Sequence, residues 1–369
     1  MRVVMISKAL IVSTYRRKAV AIAQAADIEL TVIVPPYWRE GTNRIALEPS
    51  EASGYRLLQT PMAMNGSYHT HYYPRMARIL ADIRPDLVHI DEEPYNLATY
   101  LAIRAARHIG ARTLFFTWQN LNRRYPPPFC WLERYVHQHA DGAIAGNHAA
   151  QSVLSSKGYD GPIPVIPQFG VDTDVFRPCP RLTDGDRPFT IGFAGRLVEE
   201  KGLFVLLEAL QALGGEWQMR FLGDGPLGPA LRARAEALGL ARHCSWHSRI
   251  PSQEMPAALA DLDTVVLPSL TRHNWMEQFG RVLIEAMSCG TPVVGSDSGE
   301  IPHVIDSAGL VVPEGDPSAL AQALARLRAN PALRAELGQL GRSRVLAQYT
   351  QERIASETVA FYRQIATSS

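Results

Sequence analysis

Short apolar segments alternate with helical patterns along almost all of the 369 residues. In the first half, segments with the composition of buried strands lie at 2–7, 30–34, 87–90, 113–117 and 142–145. Helical patterns separate these strands, at 17–26, 73–84, 97–109, 129–139 and 147–157. Apolar strands that are joined by helices form a parallel sheet. The helices of the right-handed crossovers cover both faces of that sheet. The alternation therefore predicts a doubly wound α/β domain, with ligands bound beyond the carboxyl ends of its strands.

The alternation stops in the middle of the chain and then begins again. Residues 171–188 are rich in Pro and Asp, as expected of a linker between domains. After the linker, strands are predicted at 190–194, 219–222, 264–267 and 293–295, again with helices between them. We therefore predict two Rossmann-like domains, residues 1–170 and 189–349. The terminal amphipathic helix, about 350–369, is expected to cross back onto the first domain.

The charge of the chain is balanced, with 37 basic and 36 acidic residues and a formal net charge of +1. No overall field draws such a protein to nucleic acid or to a membrane. The basic run Arg16-Arg17-Lys18 is interpreted as a solvated helix face. Together with other arginines, it could also make peripheral contact with an anionic lipid surface.

The cysteines and the first residues indicate the compartment. Cys130, Cys179, Cys244 and Cys289 lie tens of residues apart, without the spacing of a zinc site or a disulfide framework. The chain enters a strand directly and lacks the long apolar segment of a signal peptide. We expect a cytoplasmic protein.

The segment 277–290 places two carboxylates around the start of a helix. The helical pattern runs over 281–288, so Glu277 lies in the preceding loop and Glu285 one turn inside the helix. In one interpretation, Glu285 pairs with Arg281 four residues earlier and Glu277 is a solvated loop residue. In the other, the two carboxylates accept hydrogen bonds from a sugar and a ribose, while the helix N-terminus faces an anion.

A second motif, 193–202, follows a strand and opens a helix. Gly195 lets the backbone turn, and Arg196 and Lys201 can converge on an anion such as a diphosphate at the helix N-terminus. Another glycine-rich turn, with Gly223 and Gly225, follows the next strand. That turn is either a second approach to the phosphates or an ordinary tight turn between a strand and a helix.

Asp-x-Asp triplets, which hold a divalent metal in some sugar transferases, occur three times. They are Asp172 and Asp174 in a turn, Asp184 and Asp186 in the linker, and Asp261 and Asp263 beside a buried strand. None of these settings suits a metal site, so we predict no metal. Neutralisation of departing phosphates is assigned instead to Arg196 and Lys201.

These segments, together with Pro-Ser at 268–269 and Gly-Glu-Ile-Pro at 299–302, resemble the donor half of the retaining glycosyltransferases of family 4. The resemblance rests on Gly-Arg-x4-Lys-Gly and Glu-x7-Glu in this order, within two matching strand–helix units. It implies the GT-B architecture, in which two Rossmann-like domains face a central cleft. It also implies a nucleotide-diphosphate sugar as substrate and no cofactor.

The resemblance further implies roles for individual residues. Arg196 and Lys201 would hold the donor diphosphate and Glu277 the donor sugar, and these three are the expected catalytic residues. Glu285 would hold the ribose. The remaining expected donor contacts are Gly195, Gly223, Gly225, Arg249, Ile250, Gln278, Phe279, Gly280 and Arg281.

The first half departs from the family pattern. Many members carry paired glycines after the first strand, where this chain reads Ala-Leu-Ile-Val at 9–12. Many also carry a histidine after the fourth strand, where this chain has Gln119 followed by Asn120. Gln119 can hydrogen-bond a sugar hydroxyl but cannot take a proton. His69 and His71, in a long polar loop, are either further contacts to acceptor or sugar, or surface residues.

The expected function is therefore a retaining, metal-independent transfer of a sugar to an acceptor hydroxyl, in polysaccharide or glycoconjugate biosynthesis. The acceptor is a glycan, a lipid-linked molecule or a small molecule, and nucleic acid is not a partner. One alternative is a sugar-nucleotide epimerase of the same fold, which would need acid and base groups near the donor sugar. The other is a catalytically inactive protein that binds a nucleotide sugar.

Overall fold

The structure is a computed structural model that describes residues 1–41, 43–49, 53–179, 187–248, 250–251 and 253–367. Internal contacts divide the chain into two compact units. Unit 1 comprises Met1–Gly170 and Gln351–Ser369, and unit 2 comprises Val171–Thr350.

Unit 1 is built on a six-stranded sheet in which all neighbouring strands are parallel. The strands of unit 1 are β1 Arg2–Ile6, β2 Glu29–Val34, β3 Tyr37–Glu40, β4 Asn43–Ala46, β5 Arg56–Gln59, β6 Leu87–Ile90, β7 Arg112–Thr117 and β8 Gly142–Ala145. The order in the sheet is β5-β2-β1-β6-β7-β8, while β3 and β4 form a separate antiparallel hairpin. The chain therefore winds outward from β1 in both directions, as a Rossmann-like domain does.

Unit 2 repeats this arrangement. Its strands are β9 Phe189–Ala194, β10 Trp217–Leu222, β11 Cys244–His247, β12 Thr264–Leu267, β13 Val293–Ser296 and β14 Leu310–Val312. They form a parallel six-stranded sheet in the order β11-β10-β9-β12-β13-β14. The protein thus has the two Rossmann-like domains that the alternation of strands and helices predicts.

Helices connect the strands in both units. They are α1 Arg17–Ala23, α2 Met76–Ile83, α3 Leu97–His108, α4 Phe129–His139, α5 His148–Ser156, α6 Leu203–Ala212, α7 Gly228–Ala237, α8 Met255–Ala260, α9 Arg281–Ser288, α10 Ile301–Ile305, α11 Pro317–Ala329, α12 Pro331–Gln348 and α13 Gln351–Thr367. The predicted helices 129–139 and 281–288 agree with α4 and α9 at both ends.

The sheet of unit 1 has a separate hydrophobic core on each face. Val3 and Met5 of β1 belong to the core that contains α1 and α13, and Val4 and Ile6 belong to the core beneath α2 and α3. Successive side chains of a strand point to opposite faces, so one short apolar strand contributes to both cores. Burying each of these side chains is worth about 2 kcal/mol.

The terminal helix α13 packs within unit 1. Tyr362 of α13 is fully buried, and its hydroxyl lies 2.7 Å from Nδ1 of His89 on β6. At the start of the helix, the Gln351 amide accepts from the backbone N–H of Gly170 (3.3 Å) and donates to the Gly170 carbonyl (2.8 Å). These bonds hold the first turn of α13 to the last residue of the preceding segment of unit 1.

The basic run near the N-terminus is not a solvated face, so that interpretation is wrong for two of its three residues. Arg16 is 1% exposed and donates from Nη1 to the carbonyls of Leu10 (2.8 Å) and Ile11 (3.1 Å). Lys18 is 2% exposed, and burial lowers its pKa. Because both side chains are inside unit 1, neither can contact an anionic lipid surface.

Several strands were not predicted, namely the β3–β4 hairpin and the edge strands β5, β11 and β14. Edge strands are paired on one side only and can be short and polar, as Arg56–Gln59 and Cys244–His247 are.

In the part of the chain that the structure describes, no helix has the length and apolar character required to cross a membrane.

Candidate active site

In unit 2, the loops that follow neighbouring strands bond to one another. The N–H of Gly195, after β9, donates to the carbonyl of Leu222 at the end of β10 (3.0 Å). The N–H of Leu270, after β12, donates to the carbonyl of Glu200 (2.8 Å). Parallel strands end at a common edge, so segments far apart in sequence meet there. The predicted donor motifs therefore occupy one edge of one sheet.

Glu277 is buried and bonded, which excludes the interpretation of a solvated loop residue. It is 7% exposed, and its Oε2 accepts from Lys201 Nζ (2.5 Å) and from Ser269 Oγ (2.7 Å). Lys201 Nζ also lies 5.1 Å from the ring centroid of Trp275, a cation–π distance. An ion pair thus joins the loop before α6 to the loop before α9. Ser269 and Trp275 were not predicted as site residues.

Glycine at 202 sets the position of Lys201. Gly202 has a φ of +65° and directly precedes α6. A Cβ at this residue would lie 1.9 Å from the carbonyl oxygen of Pro268, so no other residue fits without a shift of the backbone. The close approach brings the loop that carries Lys201 against the end of β12.

The two glycine-rich turns pack directly on each other. A Cβ at Gly223 would lie 2.0 Å from the carbonyl oxygen of Gly195, and one at Gly225 would lie 2.5 Å from that of Leu197. The N–H of Leu197 donates to the carbonyl of Asp224 (3.0 Å). Contact between the turns is therefore sufficient to explain the glycines at 223 and 225, whether or not a phosphate is bound there.

The first turn of α9 contains the pair that the simpler interpretation proposed. Arg281 Nε lies 2.8 Å from Glu285 Oε1, and the Glu285 side chain is 15% exposed. Burial raises the pKa of Glu285, while the charge and hydrogen bond of Arg281 act against that rise. Gly280, with a φ of +75°, precedes the helix. A ribose hydroxyl at Glu285 would share the carboxylate with Arg281.

Arg196 differs from Lys201 in being exposed. It follows Gly195 at the end of β9, and its guanidinium has no hydrogen-bond partner among the residues that the structure describes. Its side chain is therefore placed to bind an anion without first breaking a bond within unit 2.

Replacement of Arg196 by alanine is expected to lower kcat/KM for the donor by about 100-fold, because the family resemblance assigns this cation to the leaving phosphates. The same change should leave the melting temperature nearly unaltered, since the side chain is exposed and unbonded within the described residues. Arg234→Ala, which removes an exposed arginine paired with Glu208 at 3.4 Å, is the matched control. Equal activity of the two variants would contradict the role of Arg196.

The other predicted donor contacts have varied surroundings. Phe279 is 9% exposed, and its ring centroid lies 5.7 Å from that of Tyr349, edge to face. Gln278 is exposed, and Ile250 is half-buried after β11. Arg249 lies outside the described residues. Phe279 thus anchors the loop before α9 by packing.

The aspartate triplets that the structure describes make contacts within the protein. Asp261 Oδ2 accepts from Arg220 Nη1 (2.7 Å), and Asp263 Oδ2 accepts from the N–H of Thr190 (2.8 Å). Asp172 Oδ1 accepts from the N–H of Asp174 (3.1 Å), as in an Asx turn. The third triplet, Asp184 and Asp186, lies outside the described residues.

In unit 1, Gln119 is enclosed by the protein rather than standing at a surface. It is 6% exposed, and its amide donates to Glu133 Oε1 (3.2 Å) and accepts from Lys157 Nζ (2.8 Å). Lys157 Nζ in turn donates to Glu133 Oε1 (2.6 Å). The three side chains satisfy one another, and a sugar hydroxyl would have to compete with them. Asn120, the next residue, is half-buried.

The two loop histidines lie in different places. His71 is fully buried, with Nδ1 2.9 Å from the carbonyl of Ser67 and Nε2 3.6 Å from Glu92 Oε2. His69 is half-buried, and its ring centroid lies 5.1 Å from that of Phe129. Burial lowers the pKa of His69. The interpretation as a surface residue is therefore wrong for His71, whereas His69 is partly exposed.

Unit 1 contains a pocket of about 410 Å³, and the sequence did not predict which residues line it. It lies beyond the carboxyl ends of β1, β6 and β7, and Lys8, Asp91, Glu92, Glu93 and Trp118 line it. Lys8 Nζ donates to Glu92 Oε2. Their position in the sequence could have identified the pocket, because they directly follow predicted strands and ligands of parallel sheets bind there.

Glu93 has a carboxyl group with an unusual proton affinity. Burial raises its pKa from the ordinary 4.5 to about 7, against hydrogen bonds from Thr117 Oγ1 (2.6 Å) and the N–H of Trp118 (2.8 Å). Between these two values the folded protein holds a proton that the unfolded chain has released. The contribution of Glu93 to stability is therefore lost as pH rises from about 4.5 through about 7.

The unfolding free energy of the native protein is expected to fall by up to about 3 kcal/mol between pH 4.5 and pH 8, when it is measured against that of Glu93→Gln at the same pH. Urea titrations of both proteins across this range measure the difference. Glu29→Gln, at an exposed residue that begins β2, is the control and should follow the native curve. Parallel curves for the native protein and Glu93→Gln would show that the Glu93 pKa is not raised.

Both units contain a parallel sheet with the same strand order. In unit 2, cations and carboxylates lie at the carboxyl ends of the strands. These features define the class of GT-B enzymes that use nucleotide sugars. Comparison with known proteins agrees with this class. Residues 181–344 match the model of the glycosyl transferases group 1, and residues 18–175 match that of glycosyltransferase family 4.

One relative at the level of sequence is the GDP-mannose-dependent alpha-(1-6)-phosphatidylinositol monomannoside mannosyltransferase of Mycolicibacterium smegmatis. The two chains are 31% identical over 333 residues, which cover 85% of each. The chain belongs to glycosyltransferase family 4, and it is a glycosyltransferase that uses a nucleotide-diphosphate sugar.

Solved structures show the same fold. Sucrose-phosphate synthase from Thermosynechococcus elongatus superposes with a TM-score of 0.73 at 21% identity, over 100% of both chains. Anabaena Alr3699/HepE, solved in complex with UDP, superposes with a TM-score of 0.74 at 16% identity, over 99% of this chain and 100% of that one. These likenesses support the GT-B architecture.

Proposed function

We propose that this protein transfers a hexose, with retention of anomeric configuration and without a metal ion, to a hydroxyl of a glycan or lipid-linked acceptor. In this proposal unit 2 binds the donor and unit 1 the acceptor. The observation that carries it is the ion pair of half-buried Lys201 with buried Glu277 at the carboxyl edge of the second sheet. The pair places a cation for the diphosphate next to a carboxylate for the sugar.

The site supports departure of the diphosphate. As the bond from the anomeric carbon to the phosphate oxygen breaks, negative charge grows on the phosphate. Lys201, Arg196 and the N-terminus of α9 stabilise that charge, because fixed cations and N–H donors need no reorganisation during the reaction. A metal ion is not needed for this step when two side-chain cations meet the phosphates.

The second half of the reaction is transfer of the acceptor proton. The acceptor oxygen forms its bond to the anomeric carbon on the face that the phosphate leaves, and its proton passes to the departing phosphate oxygen. No protein base is required. Lys201 and Ser269 both donate to Oε2 of Glu277, which leaves Oε1 to accept from a hydroxyl of the donor sugar.

GDP-mannose is the donor that the relatives favour. The Mycolicibacterium smegmatis enzyme, which this chain resembles over 85% of both lengths, is named for GDP-mannose and for a phosphatidylinositol monomannoside acceptor.

The proposed compartment is the reducing cytoplasm. The state of the cysteines supports it, because Cys130, Cys179, Cys244 and Cys289 are all free.

A thermal-shift panel of UDP-, GDP- and ADP-sugars tests the donor. We expect GDP-mannose to raise the melting temperature most, because a ligand that binds only the folded state stabilises it. The best donor is then incubated with candidate acceptors, and the anomeric configuration of the product is read by NMR. A larger shift with another nucleotide sugar would replace GDP-mannose, and no shift with any of them would overturn the proposed function.

Transfer is expected to continue in EDTA at an unchanged rate. Arg196 and Lys201 supply the positive charge that a divalent ion supplies in metal-dependent transferases. Initial rates with EDTA, with added magnesium and with added manganese measure the effect. An absolute requirement for either ion would contradict the metal-free reaction.

A further inference from the structure

The pocket beyond β1, β6 and β7 in unit 1 has aromatic walls. Trp38 of the β3–β4 hairpin, Trp118 after β7, Tyr15 and Tyr68 all line it. Trp38 and Tyr68 meet edge to face with ring centroids 5.4 Å apart, and Tyr15 stacks on Phe169 at 4.4 Å. Small-molecule sites combine apolar and aromatic walls with a few fixed polar groups. The C–H faces of a pyranose ring suit such walls.

Asp91, which lines this pocket, has a buried side-chain oxygen without a hydrogen-bond partner in the part of the chain that the structure describes. Asp91 is 6% exposed and lines the pocket. Its Oδ2 accepts from Ser7 Oγ (2.7 Å) and from Gln168 Nε2 (2.9 Å). Its Oδ1 is buried and has no hydrogen-bond partner among the described residues. A buried oxygen in this state is costly unless a ligand or water satisfies it, because burial removes its bond to bulk water.

The charges in the pocket disfavour an anion. Four carboxyl groups line it, those of Glu40, Asp91, Glu92 and Glu93, against a single ammonium group, that of Lys8. Glu93, whose pKa burial raises to about 7, carries only part of a charge at neutral pH, and the other three carboxyl groups still outnumber Lys8. Lys8 is already paired with Glu92, whose pKa lies at about 2, so the pair stays ionised. Lys18, which is buried, partly balances Asp91. A phosphodiester has no hydrogen to donate to these oxygens, whereas a sugar hydroxyl has.

We infer that this pocket binds an uncharged pyranose residue of the acceptor, one hydroxyl of which donates to Asp91 Oδ1, and that it rejects a phosphate group. The inference rests on the proposed function, in which unit 1 handles the acceptor. For an acceptor that contains both a sugar and a phosphate, the sugar enters this pocket and the phosphate stays outside. Recognition therefore depends on the neutral part of the acceptor.

Saturation-transfer NMR on the full chain tests this inference, with methyl α-D-mannopyranoside and mannose 6-phosphate as probes. We expect the neutral glycoside to bind, and mannose 6-phosphate to bind at least about tenfold more weakly, because like charges oppose it. Comparable dissociation constants for the two probes, or no binding of the neutral glycoside, would overturn the inference.

Two variants locate the binding. Tyr68 is 53% exposed, so Tyr68→Ala should leave the fold intact and weaken the glycoside about fivefold by removing one aromatic wall. Trp131→Ala, at a residue that is 61% exposed and lies outside the pocket, is the matched control and should bind as the native protein does. An unchanged dissociation constant in Tyr68→Ala would place the glycoside elsewhere and overturn the inference.

Reversal of one exposed charge tests the electrostatic part. Glu40→Lys should improve binding of mannose 6-phosphate about fivefold or more, because it replaces a repelling charge by an attracting one. Glu29→Lys makes the same change at the exposed amino end of β2 and should have no effect. Equal results for the two variants would remove the charge argument.

The inference and the proposed function can fail separately. Donor binding is read by the thermal shift with nucleotide sugars, which does not involve Tyr68 or Glu40. If nucleotide sugars shift the melting temperature but the neutral glycoside does not bind, or binds equally well to Tyr68→Ala, only the acceptor inference is overturned. If no nucleotide sugar binds while the Tyr68 and Glu40 effects are observed, the donor assignment is overturned and the sugar pocket stands.

Discussion

Replacing Lys201 by methionine is expected to lower kcat/KM for the donor by about 100- to 1,000-fold, the usual effect of removing one preorganised donor at a developing anion. It should also lower the unfolding free energy, by about 3 kcal/mol, since it leaves the buried carboxylate of Glu277 without its counter-ion. Lys201 Nζ lies 2.5 Å from Glu277 Oε2, and the side chains are 19% and 9% exposed. Steady-state donor kinetics and urea unfolding measure the two effects.

The control for Lys201→Met separates catalysis from stability. Arg220→Met breaks another ion pair of unit 2, in which Arg220 Nη1 lies 2.7 Å from Asp261 Oδ2. We expect it to cost stability and to leave the donor kinetics unchanged, because the pair is not among the predicted donor contacts. If both variants lose activity in proportion to their stability, Lys201 has only a structural role.

Glu277→Gln is the second change for which we expect a large effect. It keeps the size of the side chain, but it removes the charge that holds Lys201 and replaces one of the two acceptor oxygens by an NH2 donor. We expect kcat/KM to fall by about 100-fold or more, since sugar and diphosphate contacts are both weakened. The comparison is Glu208→Gln, at a carboxylate whose side chain is 45% exposed, which should be as active as the native protein.

The double variant Lys201→Met/Glu277→Gln distinguishes a functional pair from a structural one. Removal of both charges leaves neither buried alone, so part of the stability lost in the single variants should return. Activity should not return, because both donor contacts are absent. Recovery of activity together with stability would show that the pair serves the fold and not the reaction.

Sequence patterns predicted the interior elements of this protein well and its edges poorly. The interior strand β12 and the helix α9 lie where the apolar patterns place them, over 264–267 and 281–288. The edge strand β11 and the hairpin of β3 and β4 were missed. Interior strands are buried on both faces and must be apolar, whereas edge strands can be polar and short, so the hydrophobic pattern misses β11 but identifies the apolar edge strand β8.

For the proposed donor site, sequence motifs predicted the residue types but not the partners of each side chain. The motifs indicated that Lys201 and Glu277 belong to one site, and the structure shows them bonded to each other. One of the two interpretations of this segment paired Glu285 with Arg281, and the structure contains that pair at 2.8 Å. Ser269 belongs to the Pro-Ser motif of the family resemblance, but the motif gave it no role, because a single hydroxyl acquires significance only through its neighbour.

For unit 1, burial was the quantity that sequence could not supply. Arg16 and Lys18 have the composition of a solvated helix face, yet they are 1% and 2% exposed. In the sequence pattern Gln119 takes the place of a histidine that many family members carry, but its amide is held by Glu133 and Lys157. Whether a polar side chain faces solvent, a ligand or another side chain depends on contacts between residues distant in the chain.

The sequence by itself determined the α/β class, the two repeated sheets and the family, because all three depend on local periodicity and on short motifs in a given order. Only the tertiary structure decided which charges meet, which are buried, and that Asp91, whose Oδ1 has no partner among the described residues, lines a pocket. These features are set by packing, in which residues from separate strands and loops occupy neighbouring space, and no spacing along the chain encodes that.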